Sequence, residues 1–314
     1  MMTPARQGPA PLTPPDLEGT VRVAPGRKLS FAEFGRRGTR TVVWLHGTPG
    51  ARRQIPEPVR RAAAELDVRI VGIDRPGIGL STPHLYGSIL DFAWDFEMAL
   101  DRLGLDKVTV IGMSGGGPYA LATGRALPER VAAVGVIGGV APTRGPDAVE
   151  GGLVGLFARI APLLPLLRVP ASAVLSAFVS LARPVGSQAL HVYARLSPES
   201  DRRVLHTPDF KAMFLDDLLG NSSRGVRAPM LDVILFTRHW GFTLDEVEVP
   251  VEWWHGDADP IVPLAHAIHS VDRLPKAELT VLHGESHLGG MAQAEHMLAW
   301  LLGWLVPGPA PDAG

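Results

Sequence analysis

The chain has 314 residues, of which 46% are hydrophobic and 20% charged, with a net charge of −2 and no cysteine. That length and apolar fraction suit one large α/β domain with an insertion, or two domains, around a sizeable core. The near-neutral charge, without a basic stripe interleaved with aromatics, excludes an electrostatic nucleic-acid binder; the missing cysteine excludes disulfides, thiolate zinc sites and a cysteine nucleophile.

Residues 1–19 carry prolines at positions 4, 9, 11, 14 and 15 and no apolar stretch. They read as a disordered leader rather than a secretory signal, and a cytoplasmic location is the default expectation. Two short strands, 21–23 and 29–34, flank the turn Pro25-Gly26. Short apolar strands then alternate with helical stretches: strands over 41–45, 69–73, 108–111 and 131–137, helices over 56–66, 88–103 and 118–127. Strands apolar along their whole length and separated by helices predict a parallel sheet covered on both faces.

From 141 to 246 the strand signals stop, and the segment reads as several helices punctuated by prolines. Its most apolar part, 153–182, is interrupted by Arg159, Arg168 and three prolines between 162 and 170, whereas a membrane span needs about 20 unbroken apolar residues. The alternation resumes with a strand over 249–254, a helix over 264–272, a strand over 278–282 and a last helix over 290–305. The expected organisation is a core from 20–140 and 247–306, a helical cap from 141–246 over the sheet's carboxyl edge, and a flexible tail from 307–314.

Gly112-Met113-Ser114-Gly115-Gly116 lies between the strand over 108–111 and the helix over 118–127, the order that a nucleophile elbow requires. So tight a turn forces Ser114 into a strained backbone conformation and leaves no room for side chains at Gly112 and Gly116. It lifts the serine hydroxyl clear of the sheet edge and points the Gly115 amide at the same space. Pro118 falls in the first helical turn, where its missing N–H is no loss. With 35 glycines in the chain, the motif alone is weak; its place between strand and helix gives it weight.

Four further motifs accompany it at strand ends. They are His46-Gly47-Thr48-Pro49-Gly50, Asp74-Arg75-Pro76-Gly77-Ile78-Gly79-Leu80-Ser81, His255-Gly256-Asp257-Ala258-Asp259-Pro260-Ile261-Val262-Pro263 and Gly284-Glu285-Ser286-His287. With the elbow they make the chain, from about residue 20 to 305, resemble the α/β-hydrolase family. The resemblance implies a mostly parallel central sheet flanked by helices, with 141–246 as an inserted helical cap. It implies a triad in the family's order, Ser114, Asp259, His287. A serine hydroxyl needs a base to take its proton; His287 does so only if neutral and held by a carboxylate at its other ring nitrogen. The backbone amides of Thr48 and Gly115 become the oxyanion donors. No cofactor and no metal are expected.

Asp257 and Asp259 flank one alanine, so either is a candidate acid; Asp259, three residues after Gly256 and directly before Pro260, fits the family register, which leaves Asp257 a solvated loop carboxylate. Asp74 is expected to tie down backbone amides in its turn, and His46 to brace its loop. Arg52 and Arg53 offer charge to an anionic substrate, though charges near a helix start are more often solvated. His255, Asp257, Asp259, His283 and His287 form a nominal metal set, but the triad already accounts for that loop.

The loop reads His-Gly-Thr-Pro-Gly where proline iminopeptidases have H-G-G-P-G, and a serine nucleophile counts against the carboxylate chemistry of haloalkane dehalogenases and epoxide hydrolases. The expected activity is cleavage of a carboxylic ester of a small, largely apolar substrate through an acyl-enzyme. Alternatives are a proline iminopeptidase-like aminopeptidase, with Glu150, Glu199, Asp216 and Asp217 as acids for a substrate amine, or a lactone or carbon–carbon bond hydrolase. A non-catalytic ligand-binding protein on the same fold is the reading from a different class.

Overall fold

The computed structural model describes residues 12–35, 38–152, 195, 197–221 and 227–305. Strands β1 (Leu17–Ala24) and β2 (Arg27–Phe34) form an antiparallel hairpin at one edge of the sheet. β2 pairs antiparallel with β4 (Val68–Ile73). From β4 onward the pairing is parallel through β3 (Arg40–Leu45), β5 (Val108–Met113), β6 (Val131–Ile137), β7 (Val251–Gly256) and β8 (Ala277–Leu282). The order across the sheet is β1-β2-β4-β3-β5-β6-β7-β8.

Three helices lie between these strands before β6: α1 (Glu57–Glu65), α2 (Phe92–Leu103) and α3 (Gly117–Ala126). Between β6 and β7 come α4 (Glu199–His206), α5 (Pro208–Asn221) and α6 (Arg227–Phe236). After β7 come α7 (Leu264–Val271), the single turn α8 (Gly289–Ala292) and α9 (Ala294–Leu302). In α2 the apolar residues Phe92, Phe96, Ala99 and Leu100 recur at helical spacing and are buried, and Gly104 ends the helix at φ 65, a left-handed conformation that glycine adopts without strain.

The interior parallel strands β3 to β7 are buried on both faces, as their apolar runs predict, while β8 at the sheet's edge is half-exposed. Val42, Val43, Trp44 and Leu45 are all fully buried, and consecutive residues point to opposite faces. Val43 and Leu45 share a core with Phe92, Phe96 and Tyr119 on one side. Val42 and Trp44 share another with Val59, Met297 and Leu301 on the other.

Two expectations change. β1 begins at Leu17, inside the stretch read as a leader, and the contacts begin earlier still: Thr13 donates from its amide and hydroxyl to Glu57 at 3.0 and 2.7 Å. The strand expected over 21–23 is the second half of β1; residues 17–20 are added by backbone pairing to β2, which leaves no hydrophobic signature. The final helix is divided, with α8 and α9 meeting at Gln293. The apolar run 153–182, the beginning of the leader and the tail from 307 lie outside the described residues. Among the described residues, no helix is long and apolar enough to cross a membrane.

Candidate active site

Ser114 follows β5 at φ 48, in the left-handed region that a non-glycine residue occupies only under strain. The neighbouring glycines explain how the turn closes. A Cβ on Gly112 would lie 2.6 Å from the Gly116 carbonyl oxygen, and one on Gly116 would lie 2.7 Å from the His46 carbonyl oxygen. Both approaches are to backbone, which cannot swing aside. α3 starts immediately afterwards with Pro118 in its first turn.

The sheet order places the other loops around the serine. β3 pairs with β5 in a register that sets Leu45 beside Gly112, so the loop from His46 emerges next to the elbow. The loops after β7 and β8 carry Asp259 and His287. His287 Nε2 lies 2.9 Å from Ser114 Oγ, and His287 Nδ1 lies 2.7 Å from Asp259 Oδ2. The proton on Nδ1 is donated to the carboxylate, which leaves Nε2 as an acceptor for the serine hydroxyl. All three side chains are buried, Ser114 and His287 at 8% exposure and Asp259 at 6%, so little water competes for these bonds.

Asp259 is itself oriented. Its Oδ1 accepts the amides of Ile261 and Val262 at 2.8 and 3.0 Å, which turns Oδ2 toward His287. Behind it, the Trp253 indole donates to His255 Nδ1 at 3.2 Å, and His255 Nε2 donates to the Val262 carbonyl at 2.7 Å, with Asp259 Oδ2 at 3.5 Å. Burial holds the His255 imidazole below the ordinary histidine range, so it serves as a neutral brace. Asp257 lies apart from Ser114, His287 and Asp259, accepting the Gly284 amide at 2.7 Å and facing His283 Nδ1 at 3.0 Å on the surface.

The loop after β3 is tied at nearly every residue. Gly47 N–H donates to Gln54 Oε1 at 2.7 Å, and Ala51 N–H to Asp217 at 3.0 Å. His46 Nδ1 bonds the Gly47 carbonyl at 2.7 Å while Nε2 accepts the Arg75 amide at 3.3 Å; burial, then the nearby Arg75 charge, holds this ring well below its usual range. Thr48 stands against Gly115: a Cβ on Gly115 would lie 3.0 Å from Thr48 Cβ and 2.9 Å from Phe236 Cζ. The two residues expected to supply oxyanion amides are therefore adjacent, beside Ser114.

Asp74 accepts from the Arg52 amide at 2.5 Å, the Ser30 hydroxyl at 2.6 Å and the Arg52 guanidinium at 2.8 Å. Arg52 and Arg53 are held in ion pairs, Arg52 buried and Arg53 partly exposed, where their position near a helix start suggested simple solvation. They precede α1 in the folded loop, where Arg52 pairs with Asp74 and Glu18, and Arg53 with Glu18 and Asp216. Of the acids considered for a substrate amine, Glu150 and Glu199 are exposed, Asp216 is engaged by Arg53 and Arg60, and Asp217 is buried on the Ala51 amide.

Three residues with evident structural roles here were missed by sequence reasoning. Asp201 on α4 accepts the Ser286 hydroxyl at 3.0 Å and the Leu288 amide at 2.8 Å, holding the histidine loop. Asp232 on α6 meets Arg75 in a buried ion pair at 2.6 Å. Arg75 belongs to the motif that follows β4, and its position just after Asp74 is the one signal the sequence carries for it. Nothing in the helical segments distinguishes Asp201 or Asp232 from a solvated aspartate.

A 2-hydroxy-6-oxononadienedioate/2-hydroxy-6-oxononatrienedioate hydrolase from Dechloromonas aromatica is 31% identical over 285 residues, 86% of this chain and 86% of the relative. A sequence profile of the alpha/beta hydrolase fold matches residues 40–167. The chain belongs to the α/β-hydrolase fold family. A proline iminopeptidase from Neisseria meningitidis is 32% identical over 152 residues, 47% of this chain and 48% of the relative, so the chain spans about half the length of that protein. A bromoperoxidase from Bacillus anthracis of known structure superposes with a TM-score of 0.64 at 20% identity, over 91% of this chain and 99% of that one, a likeness of fold.

Proposed function

We propose that this α/β-hydrolase is a serine hydrolase that cleaves a carboxylic ester of a small, largely apolar substrate through an acyl-enzyme intermediate. The observation that carries the reading is the continuous hydrogen-bonded chain from Ser114 Oγ through His287 to Asp259, at 2.9 and 2.7 Å. Ser114 Oγ attacks the carbonyl carbon as its proton passes to His287 Nε2, and Asp259 stabilises the imidazolium. The carbonyl oxygen, now negative, is received by the amides of Gly115 and Thr48; one such donor is typically worth about 100- to 1,000-fold in rate. Collapse breaks the ester C–O bond, and His287 returns the proton to the departing alkoxide. Water, deprotonated by His287, then attacks the acyl carbon and frees Ser114 and the acid product.

The apolar preference draws support from the side chains around the triad. Met113 and Leu288, neighbours of Ser114 and His287, pack with Val204, Phe210 and Met213 of the inserted helices, and Phe236 stands at Gly115. A second reading, carbon–carbon bond hydrolysis, draws on the relative aligned over 86% of its length and named for a dienedioate. The aminopeptidase reading is less favoured, since Asp216 and Asp217 already have partners within the protein.

The test is labelling with a fluorophosphonate, followed by turnover of p-nitrophenyl esters, aminoacyl anilides and a hydroxy-oxo-dienedioate. The expected result is one adduct, on Ser114, absent from Ser114→Ala, and fastest turnover of an uncharged ester. An adduct on another residue would end the triad assignment. Faster turnover of the dienedioate or of a prolyl anilide would replace the ester reading while keeping the nucleophile.

A further inference from the structure

Arg75 sits at the carboxyl end of β4, and its side chain is fully buried. Its guanidinium donates to the carbonyl of His46, to the carbonyl of Gly47 at 3.0 Å and to Thr48 Oγ1 at 2.8 Å, three consecutive residues of the loop that ends at the oxyanion amide. The same guanidinium grips Asp232 of α6, with Nη2 at 2.6 Å from Oδ2 and Nε at 3.2 Å from Oδ1. Asp232 accepts two more bonds, from the Thr48 hydroxyl at 2.8 Å and from the Tyr119 hydroxyl at 2.8 Å. Tyr119, on the helix that follows the nucleophile, also faces the Arg75 guanidinium with its ring at 4.9 Å.

A planar guanidinium bonded to both oxygens of a buried carboxylate has almost no freedom, and neither has what else it holds. Thr48 Oγ1 is caught between the two charges: it accepts from Arg75 and donates to Asp232. The orientation of its residue is therefore set by whether α6 is docked. Gly115 has no side chain to define that side of the site, and Thr48 and Phe236 of the same helix fill the space instead. None of this network touches His287 or Asp259, so it acts on the oxyanion side of the site and leaves the proton-transfer side alone.

We infer that Asp232 and Arg75 are positioning residues which couple docking of the inserted helix α6 to the placement of the Thr48 amide, so that the oxyanion site is complete only when that helix is seated. The inference rests on Ser114 as nucleophile and Thr48 as an oxyanion donor. A donor moved by a fraction of an ångström loses part of its effect on the transition state while substrate binding persists.

The experiment compares wild type with Asp232→Asn, Thr48→Val and Asp216→Asn. The last weakens a different contact of the inserted helices, the Arg53–Asp216 pair at 2.9 Å. On a p-nitrophenyl ester, Asp232→Asn and Thr48→Val should lower kcat about 10- to 100-fold, less than outright removal of a donor, with KM changed less than about threefold. Affinity for a trifluoromethyl ketone, which places a tetrahedral oxyanion on the serine, should fall by the same factor as kcat. Asp216→Asn should keep both. Thr48→Val preserves side-chain shape and carries the test if Asp232→Asn does not fold. The inference is overturned if kcat stays within twofold of wild type, if ketone affinity holds while kcat falls, or if Asp216→Asn reproduces the loss. A wild-type protein that neither labels at Ser114 nor turns over any ester refutes the underlying reading, and the inference with it. Wild-type labelling and turnover with unaffected variants refutes the coupling alone.

Discussion

Replacing Asp259 by asparagine tests the assignment of the acid, because the structure gives its two oxygens different tasks. Oδ1 accepts the amides of Ile261 and Val262, and an asparagine carbonyl keeps both bonds. The new NH2 group then takes the place of Oδ2, facing His287 Nδ1 across 2.7 Å. Two donors cannot meet there, so the imidazole adopts the other tautomer, with its proton on Nε2 and pointing at Ser114 Oγ. A base in that state cannot take the serine proton. The serine-protease precedent puts the loss at about 10⁴-fold in kcat, which corresponds to about 5.4 kcal/mol of barrier. Asp257→Asn removes a surface contact to His283 and should leave kcat within about threefold of wild type, the scale of an ordinary surface change. Both variants are assayed on one p-nitrophenyl ester, with circular dichroism to check folding. An inactive Asp257→Asn beside an active Asp259→Asn would place the acid two residues earlier and refute the tautomer reasoning for Asp259.

Three further outcomes follow from the geometry. At φ 48, Ser114→Gly should be more stable than the equally inactive Ser114→Ala by about 1 kcal/mol, read from urea midpoints, because glycine adopts this conformation freely; equal midpoints would show that the elbow stores no such strain. Gly116→Ala drives a methyl against the Leu45 and His46 carbonyls and should destabilise by about 3 kcal/mol or more, so a variant melting within a degree or two of wild type would contradict the steric account. Burial, then the neighbouring Asp74, pushes the Asp217 carboxyl from 3.8 up to about 7. The folded protein thus holds a proton that the unfolded chain has released, and stability falls as pH rises from about 4 through about 7, with no further loss above. Asp217→Asn, which mimics the neutral form, should match wild type near pH 4 and melt higher near pH 8; a difference independent of pH would count against it.

Much of the site was legible in the sequence where short-range sterics dictate it. Two glycines flanking Ser114, a β-branched run before it and Pro118 after it specify a strand, a tight turn and a helix, because nothing else fits those contacts within a few residues. The unbroken apolar strands specify a parallel sheet, since only a sheet covered on both faces buries consecutive residues such as Val42 to Leu45. Of the edge strand β1, only residues 17–20 escaped, because ladder hydrogen bonds carry no hydrophobic signature; the half over 21–23 was legible.

Sequence by itself determined the elbow, the alternating core and, through family resemblance, which loops bear the histidine and the acid. The tertiary structure decided which side chains touch. Two aspartates one residue apart differ only in what faces them: Asp259 is turned inward by two amides, while Asp257 is left at the surface. Arg75 and Asp232 stand 157 positions apart in the chain and meet at 2.6 Å, a pairing that no local pattern encodes. A buried carboxylate on an inserted helix has the same sequence signature as a solvated one. Its partner is chosen by how the helix docks, which depends on the packing of the whole molecule.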